Sequence, residues 1–144
     1  MNLIYHTNEP ITEHQLVLFE QHIGAKLPDD YRRFLIEYNG GCPTRVESLI
    51  PEINAPILVS EFYGVGTGPC GLKEVYSMLD GRIPNSFISI ADDPGGHEYL
   101  IGLCGTQHEG QIYFWLHDQE AENPMDICFF VANSFTEFFD GLKD

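Results

Sequence analysis

The chain has 144 residues, of which 43% are hydrophobic and 12% aromatic, a composition that suits one folded domain over residues 1–144 and excludes a disordered chain. Its 22 acidic residues outnumber its seven basic ones, which gives a formal net charge of -15 at pH 7. So acidic a surface argues against nucleic-acid and membrane binding and favours a basic protein as partner, although acidity also serves to keep a protein in solution.

Two helices are predicted near the start of the chain. In the first, Thr12 and Gln15 match a capping box and Gly24 provides the stop signal. The second has Pro28 in its first turn, where a missing N–H costs nothing, and ends at the Asn-Gly-Gly sequence of residues 39–41. Apolar residues recur at helical spacing in both segments, so we expect each helix to bury one face.

The remaining elements are a loop, five strands and two helices. Residues 42–56 predict a loop, residues 57–64 have strand composition, and residues 71–81 have the spacing of a short helix. Further strands are predicted at 86–92, 98–103, 110–117 and 127–132, and Ser134 is the predicted cap of a final helix. Because short turns join neighbouring strands, the sheet should be mostly antiparallel. The order predicts an α+β fold, with helices flanking a central sheet.

The segment ADDPGGHEYLIGLC, residues 91–104, contains candidate metal ligands or acid–base groups in Asp92, Asp93, His97 and Glu98. A zincin motif requires a second histidine four residues after the first, and Ile101 stands at that position. The acids also lack the spacing of a calcium loop. We therefore interpret the segment as a Pro-Gly-Gly turn and predict no metal ion, cofactor or catalytic residue.

A second candidate is the loop Gly66–Gly71, whose glycines match the G-x-G-x-x-G pattern of dinucleotide-binding proteins. Glu61 in the preceding strand argues against a buried parallel strand, and Pro69 removes an N–H from the loop itself. Hairpin-linked strands follow, where a dinucleotide fold needs crossovers. We interpret the segment as a flexible glycine loop, and ligand binding there stays an open alternative.

The clearest candidate surface is acidic. Residues 83–142 contain ten acids and no lysine or arginine. Trp115 alternates with the strand residues predicted to face the core, so it is a candidate aromatic anchor beside Asp118, Glu120 and Glu122. The alternative is that a helix covers this face of the sheet and Trp115 belongs to the core.

Cysteine spacing and the first residues bear on the compartment. Cys42, Cys70, Cys104 and Cys128 lie far apart, so we predict buried free thiols rather than disulfides or a zinc site. The start of the chain lacks the basic and apolar regions of a signal peptide, and no apolar run approaches the roughly 20 residues of a transmembrane helix. We expect a cytosolic protein, and the sequence is silent on its oligomeric state.

Four segments, taken in order, resemble the Smi1/Knr4-like family, also called the SUKH superfamily. They are LPDDYRRFLIEYNGG (27–41), IPNSFISIADDPGGHEYLIGL (83–103), GQIYFWLHD (110–118) and VANSFTEFFDGL (131–142). The resemblance extends from about Ile11 to Leu142. The chain departs from the family's pattern at residues 42–62 and at His97, where a small polar residue is common.

The resemblance implies an α+β domain without shared catalytic residues. Many bacterial members are taken to be immunity proteins of polymorphic toxin systems, which bind and block a cognate toxin, often a nuclease. Eukaryotic relatives act as regulatory or scaffold domains. On this basis and on the charge, we predict a non-catalytic immunity protein that binds a basic toxin. A scaffold module without a toxin is the alternative, and a nucleotide- or metal-binding enzyme is a third.

The residues predicted to contact the partner share acidity or an aromatic ring and lie in turns or at strand ends. They are Asp92, Asp93, Glu98, Trp115, Asp118, Glu120 and Glu122.

Overall fold

The computed structural model describes residues 2–144 and has the predicted α+β fold. Its described part contains four α-helices, which are α1 (Glu13–Ile23), α2 (Asp29–Tyr38), α3 (Leu72–Met78) and α4 (Phe135–Asp140). Short 3₁₀ helices occur at Pro51–Ile53 and Pro124–Ile127. None of the helices described is long and apolar enough to cross a lipid bilayer.

Nine strands form three antiparallel sheets within the described residues. They are β1 (Ile4–Tyr5), β2 (Cys42–Pro43), β3 (Glu47–Ile50), β4 (Ala55–Leu58), β5 (Glu61–Phe62), β6 (Phe87–Asp92), β7 (Glu98–Gly102), β8 (Ile112–Trp115) and β9 (Cys128–Ala132). The main sheet has the order β5-β6-β7-β8-β9, so each strand pairs with its neighbour in the chain. The pairs β1–β2 and β3–β4 form two smaller sheets.

Local sequence signals set the ends of the helices. The side chain of Thr12 accepts a hydrogen bond from the backbone N–H of Gln15, whose side chain in turn accepts from the N–H of Thr12, and Gly24 ends α1 with φ 72°. Ser134 caps α4 by accepting from the N–H of Glu137. These three predictions are confirmed. Pro28 occupies the cap position of α2 and not its first turn, because the helix begins at Asp29.

The core lies between the main sheet and helices α2 and α4. Phe62 of β5 packs against Phe34 of α2, with ring centroids 5.1 Å apart. Tyr99 of β7 packs against Phe138 of α4 at 5.3 Å. Each such aromatic contact adds about 1 kcal/mol beyond the burial of apolar area. The two helices therefore cover one face of the sheet and fix the positions of its strands.

The structure corrects the prediction for residues 42–64. The predicted loop contains β2 and β3, and the predicted strand at 57–64 is divided between two sheets, since β4 pairs with β3 and β5 pairs with β6. The four cysteines are free thiols, as predicted. The expected burial is wrong for Cys70, which is exposed, and the other three are half-buried.

Candidate functional site

Two loops meet at one end of the main sheet and bring the predicted acids together. The β6–β7 turn is closed by Asp93, whose Oδ1 accepts hydrogen bonds from the N–H groups of Gly95 (2.9 Å) and His97 (2.8 Å). The loop after β8 is attached to this turn, because the N–H of His117 donates to Nδ1 of His97 at 3.1 Å. The two imidazole rings lie 4.7 Å apart. The acids of both loops therefore share one end of the sheet.

Three carboxylates also form a row across neighbouring strands. In the strand register, Glu61 of β5 lies opposite Asp92 of β6, and Asp92 lies opposite Glu98 of β7. Directly opposed residues of antiparallel strands point to the same face, so the three acids share a face of the sheet. Glu61 is exposed, Asp92 is half-buried and Glu98 is only 7% exposed. Solvent exposure therefore decreases along the row from Glu61 to Glu98.

Burial changes the proton affinity of the inner two carboxyls. Burial raises the pKa of Glu98 to about 7, although the hydroxyls of Ser89 and Tyr63 each donate to its Oε1 at 2.7 Å and oppose the shift. Burial and then the charge of Glu61 raise the pKa of Asp92 to about 6. The Oδ1 atom of Asp92 is buried without a hydrogen-bond partner among residues 2–144. These two groups store unfavourable electrostatic energy at neutral pH.

Trp115 lies in the core rather than on the surface, which is the alternative that the sequence left open. Its side chain is 2% exposed, and the guanidinium carbon of Arg82 lies 5.2 Å from the ring centroid. The indole Nε1 has no hydrogen-bond partner among the described residues. A cation over an indole face contributes about 1 kcal/mol at a site of this kind. Trp115 is therefore a core residue that packs against Arg82.

A cleft beside Trp115 contains the three acids of the β8–β9 connection. It has a volume of about 380 Å³, and Asp118, Glu120 and Glu122 in its lining are exposed. Arg82 contributes a positive charge to the same cleft, but within residues 2–144 no ion pair of 4.0 Å or less joins it to these acids. The carboxylates are thus free to interact with another molecule.

The predicted contact residues fall into three groups. Asp118, Glu120 and Glu122 are exposed, Asp92 and Asp93 are half-buried, and Glu98 and Trp115 are buried. The folded surface therefore exposes the first five more than the last two. The contact roles of all seven residues stay predictions.

Sequence reasoning missed two residues of this region, Glu61 and Arg82. The charge of Glu61 inside a strand-like segment was visible, but its position opposite Asp92 depends on the pairing of β5 with β6. Arg82 directly precedes residues 83–142, which contain no lysine or arginine, and its guanidinium lies over the ring of Trp115 in that stretch. No local signal identified Arg82, because it lies shortly before the start of β6, and Trp115 is aligned with the other end of that strand.

The geometry around Gly66–Gly71 differs from that of a dinucleotide-binding loop. The strands on either side of α3, β5 and β6, are antiparallel, whereas that unit requires parallel strands. The loop is held by Asn39, whose side chain donates to the carbonyl of Val65 at 2.9 Å and accepts from its N–H at 2.8 Å. In residues 2–144 no group of three or more His, Cys, Asp or Glu side chains is arranged to hold a metal ion.

The fold and this site together define a small α+β domain in which one end of the main sheet is acidic. We call Asp92, Asp93, Asp118, Glu120 and Glu122 the acidic sheet end. The chain belongs to the SMI1/KNR4 family (SUKH-1), whose family model matches residues 10–141. It is 32% identical over 151 aligned positions to the SPbeta prophage-derived uncharacterized protein YokK of Bacillus subtilis (strain 168). That alignment covers 92% of this chain and 75% of the relative. Membership of the family supports a protein-binding domain of the immunity type.

Proposed function

We propose that the protein is a non-catalytic immunity protein that binds a cognate toxin domain and neutralises it, as part of a polymorphic toxin system. We expect the toxin to be basic. A nuclease is the class that suits the charge best, because nucleases present basic surfaces to phosphates and carboxylates can occupy the same positions. The proposal places the protein in the cytosol, where such a toxin meets its nucleic-acid substrate, and gives it no nucleic-acid contact of its own.

The acidic sheet end is the observation that carries this proposal. Asp118, Glu120 and Glu122 are exposed next to the half-buried Asp93, and Arg82 is the basic residue of the cleft. Exposed like charges of this density attract a basic protein over a distance of about 10 Å at 0.1 M salt. They increase the association rate more than they increase the lifetime of the complex.

The buried members of the predicted set have a supporting role in this proposal. Glu98 lies opposite Asp92 on one side and Trp115 on the other, so the two buried residues connect the acid row to the cleft. Both residues come from strands of the main sheet, and sites built on strands hold their geometry better than sites built on loops. We propose that Glu98 and Trp115 position the exposed acids without touching the partner.

Co-purification and rescue of growth test the proposal. The tagged protein is isolated from its source cell, its partner is identified, and the partner's toxin domain is expressed with and without this chain. We expect co-expression to restore growth. Asp118→Asn/Glu120→Gln/Glu122→Gln should weaken both binding and rescue.

A matched control removes the same charge from other exposed positions. Glu9→Gln/Glu74→Gln/Asp140→Asn replaces two glutamates and one aspartate that make no side-chain hydrogen bond within the described structure. It should bind and rescue nearly as well as the natural chain. A bound partner without toxicity would favour the scaffold alternative. Equal losses in the two triple variants would refute the assignment of the acidic sheet end.

A further inference from the structure

The hairpin formed by β3 and β4 has one apolar face that is turned to solvent. In its register, Leu49 lies opposite Pro56, and Leu58 lies opposite Glu47. Leu49 and Leu58 are 40% and 43% exposed, and Ile53 at the tip is 56% exposed. We call Leu49, Ile53, Pro56 and Leu58 the apolar hairpin face. Large exposed apolar side chains grouped on one short element are characteristic of interaction surfaces.

The opposite face of the hairpin fixes it to the protein. Ile50 and Ile57 alternate with the exposed residues and are buried in the core. The base of the hairpin is attached to the main sheet, because the hydroxyl of Tyr99 donates to the carbonyl of Leu58 at 2.7 Å. Its other strand pairs with the C-terminus, where the N–H of Glu47 donates to the carbonyl of Lys143 at 2.8 Å. The apolar hairpin face is therefore held in place before any partner arrives.

The charge around the hairpin indicates what can cover it. Residues 46–62 contain Glu47, Glu52 and Glu61 and no lysine or arginine, and two bases lie beside them, Arg45 directly before this segment and Lys143 opposite Glu47. Glu61 is also the exposed end of the carboxylate row, and it follows Leu58, the last residue of β4, by three positions in the chain. The hairpin is therefore connected directly to the strand that begins the row.

We propose that the apolar hairpin face is the hydrophobic half of the partner-binding surface, and that its occupant is a basic protein with an apolar groove bordered by lysine or arginine. This inference rests on the proposed function, which supplies the basic partner. The acids attract that partner, and the hairpin residues hold it by losing their remaining contact with water.

Charge disfavours the other occupants of an apolar face. A second copy of this chain would bring another net charge of -15 against the first, and an anionic lipid surface would meet Glu47 and Glu52. A basic protein surface gains from the same carboxylates. We therefore assign the apolar hairpin face to a basic protein partner.

The experiment measures binding of the partner isolated in the co-purification above to single and triple variants of the hairpin. In Leu49→Thr, Ile53→Thr and Leu58→Thr the new side chain suits a strand or turn and is exposed, so the variants should fold. Each should raise Kd about 5-fold and the triple variant about 100-fold, since roughly half of each side chain is left to bury. The higher Kd should come from faster dissociation of the complex, and the salt dependence of the association rate should stay unchanged.

The control takes exposed apolar residues from two helices. Leu18→Gln on α1 and Met78→Gln on α3 remove side chains that are at least as exposed as those of the hairpin strands. They should change Kd less than 2-fold, a bound set by the small effect expected away from the interface. Far-UV circular dichroism and thermal melting confirm that all variants retain the fold.

Photo-crosslinking locates the contact directly. A benzoylphenylalanine placed at position 58 should capture the same basic partner as one placed at position 120, and one placed at position 18 should not. Capture from 120 but not 58 would overturn the inference and leave the proposed function standing. Capture of a second copy of this chain from position 58 would also overturn it. Failure to capture a basic protein from any position would contradict the proposed function itself.

Discussion

The buried carboxyl of Glu98 makes the stability of this protein depend on pH in a predictable direction. Its pKa is about 7 in the folded chain and about 4.5 in an unfolded one. Between these two values the folded state binds more protons than the unfolded state. The contribution of Glu98 to the free energy of unfolding is therefore most favourable below pH 4.5. It falls as the pH rises, and the decrease is complete above pH 7.

The size of this effect follows from the same two values. One pKa unit corresponds to 1.36 kcal/mol, so the ionised carboxylate costs the folded state about 3 kcal/mol above pH 7. Asp92, whose pKa is raised to about 6, acts in the same direction at lower pH. It is half-buried, so water screens its contribution, and Glu98 should dominate between pH 6 and 8.

Glu98→Gln isolates this contribution because it removes the charge and keeps the acceptor. The amide oxygen of glutamine can still accept the hydrogen bonds that Tyr63 and Ser89 donate to Oε1. Urea unfolding from pH 5 to 8, followed by the fluorescence of Trp115, gives the free energy of unfolding at each pH. The natural chain should lose most of the 3 kcal/mol across this range, and the variant should lose much less.

The control is Glu122→Gln, which replaces an exposed carboxylate in the same way. It should leave the free energy of unfolding close to that of the natural chain, because a substitution at an exposed position outside the core has a small effect on stability. Parallel profiles for Glu98→Gln and the natural chain would refute the reasoning, since the buried carboxylate would then carry no cost.

Two further predictions concern the stability of the helices and their connections. Arg32→Ala should cost about 3 kcal/mol in urea unfolding at pH 7, because the buried Glu20 would lose the guanidinium that lies 2.9 Å from its Oε1; a loss below 1 kcal/mol would contradict this. Gly40→Ala should cost at least about 2 kcal/mol by the same assay, since the residue has φ 82° and a Cβ would lie 2.6 Å from the carbonyl oxygens of Phe62 and Tyr63. A free energy of unfolding equal to that of the natural chain would show that the backbone relaxes there.

The elements from residue 86 onward could be predicted because their signals are local. Strands β6 and β7 are separated by a Pro-Gly-Gly turn, and Ser134 with Glu137 fixes the start of α4. The hairpin β3–β4 gave no such signal, because each strand has only four residues, Pro51 follows β3 directly and Pro56 lies within β4. Proline is tolerated in β4 because that strand lies at the edge of its sheet.

The charge of the candidate site could be predicted from the sequence, but the burial of its residues could not. Alternation along β8 places Trp115 on the face opposite to Phe114, but it does not say whether that face is covered, and Arg82 reaches it from another segment. Glutamate is usually a surface residue, but Glu98 is buried, and the hydroxyls of Ser89 and Tyr63 donate hydrogen bonds to its carboxylate. The donor Tyr63 is 35 residues from Glu98 in the chain, so no local pattern could reveal this contact.

The association rate of the partner as a function of salt tests the central claim most directly. The partner isolated by co-purification is mixed with the natural chain and with Asp118→Asn/Glu120→Gln/Glu122→Gln in stopped flow between 50 mM and 500 mM NaCl. We expect the rate constant for the natural chain to fall at least about 10-fold over this range, and the variant to start lower and fall less steeply. A rate constant that is the same for both proteins and independent of salt would contradict the account.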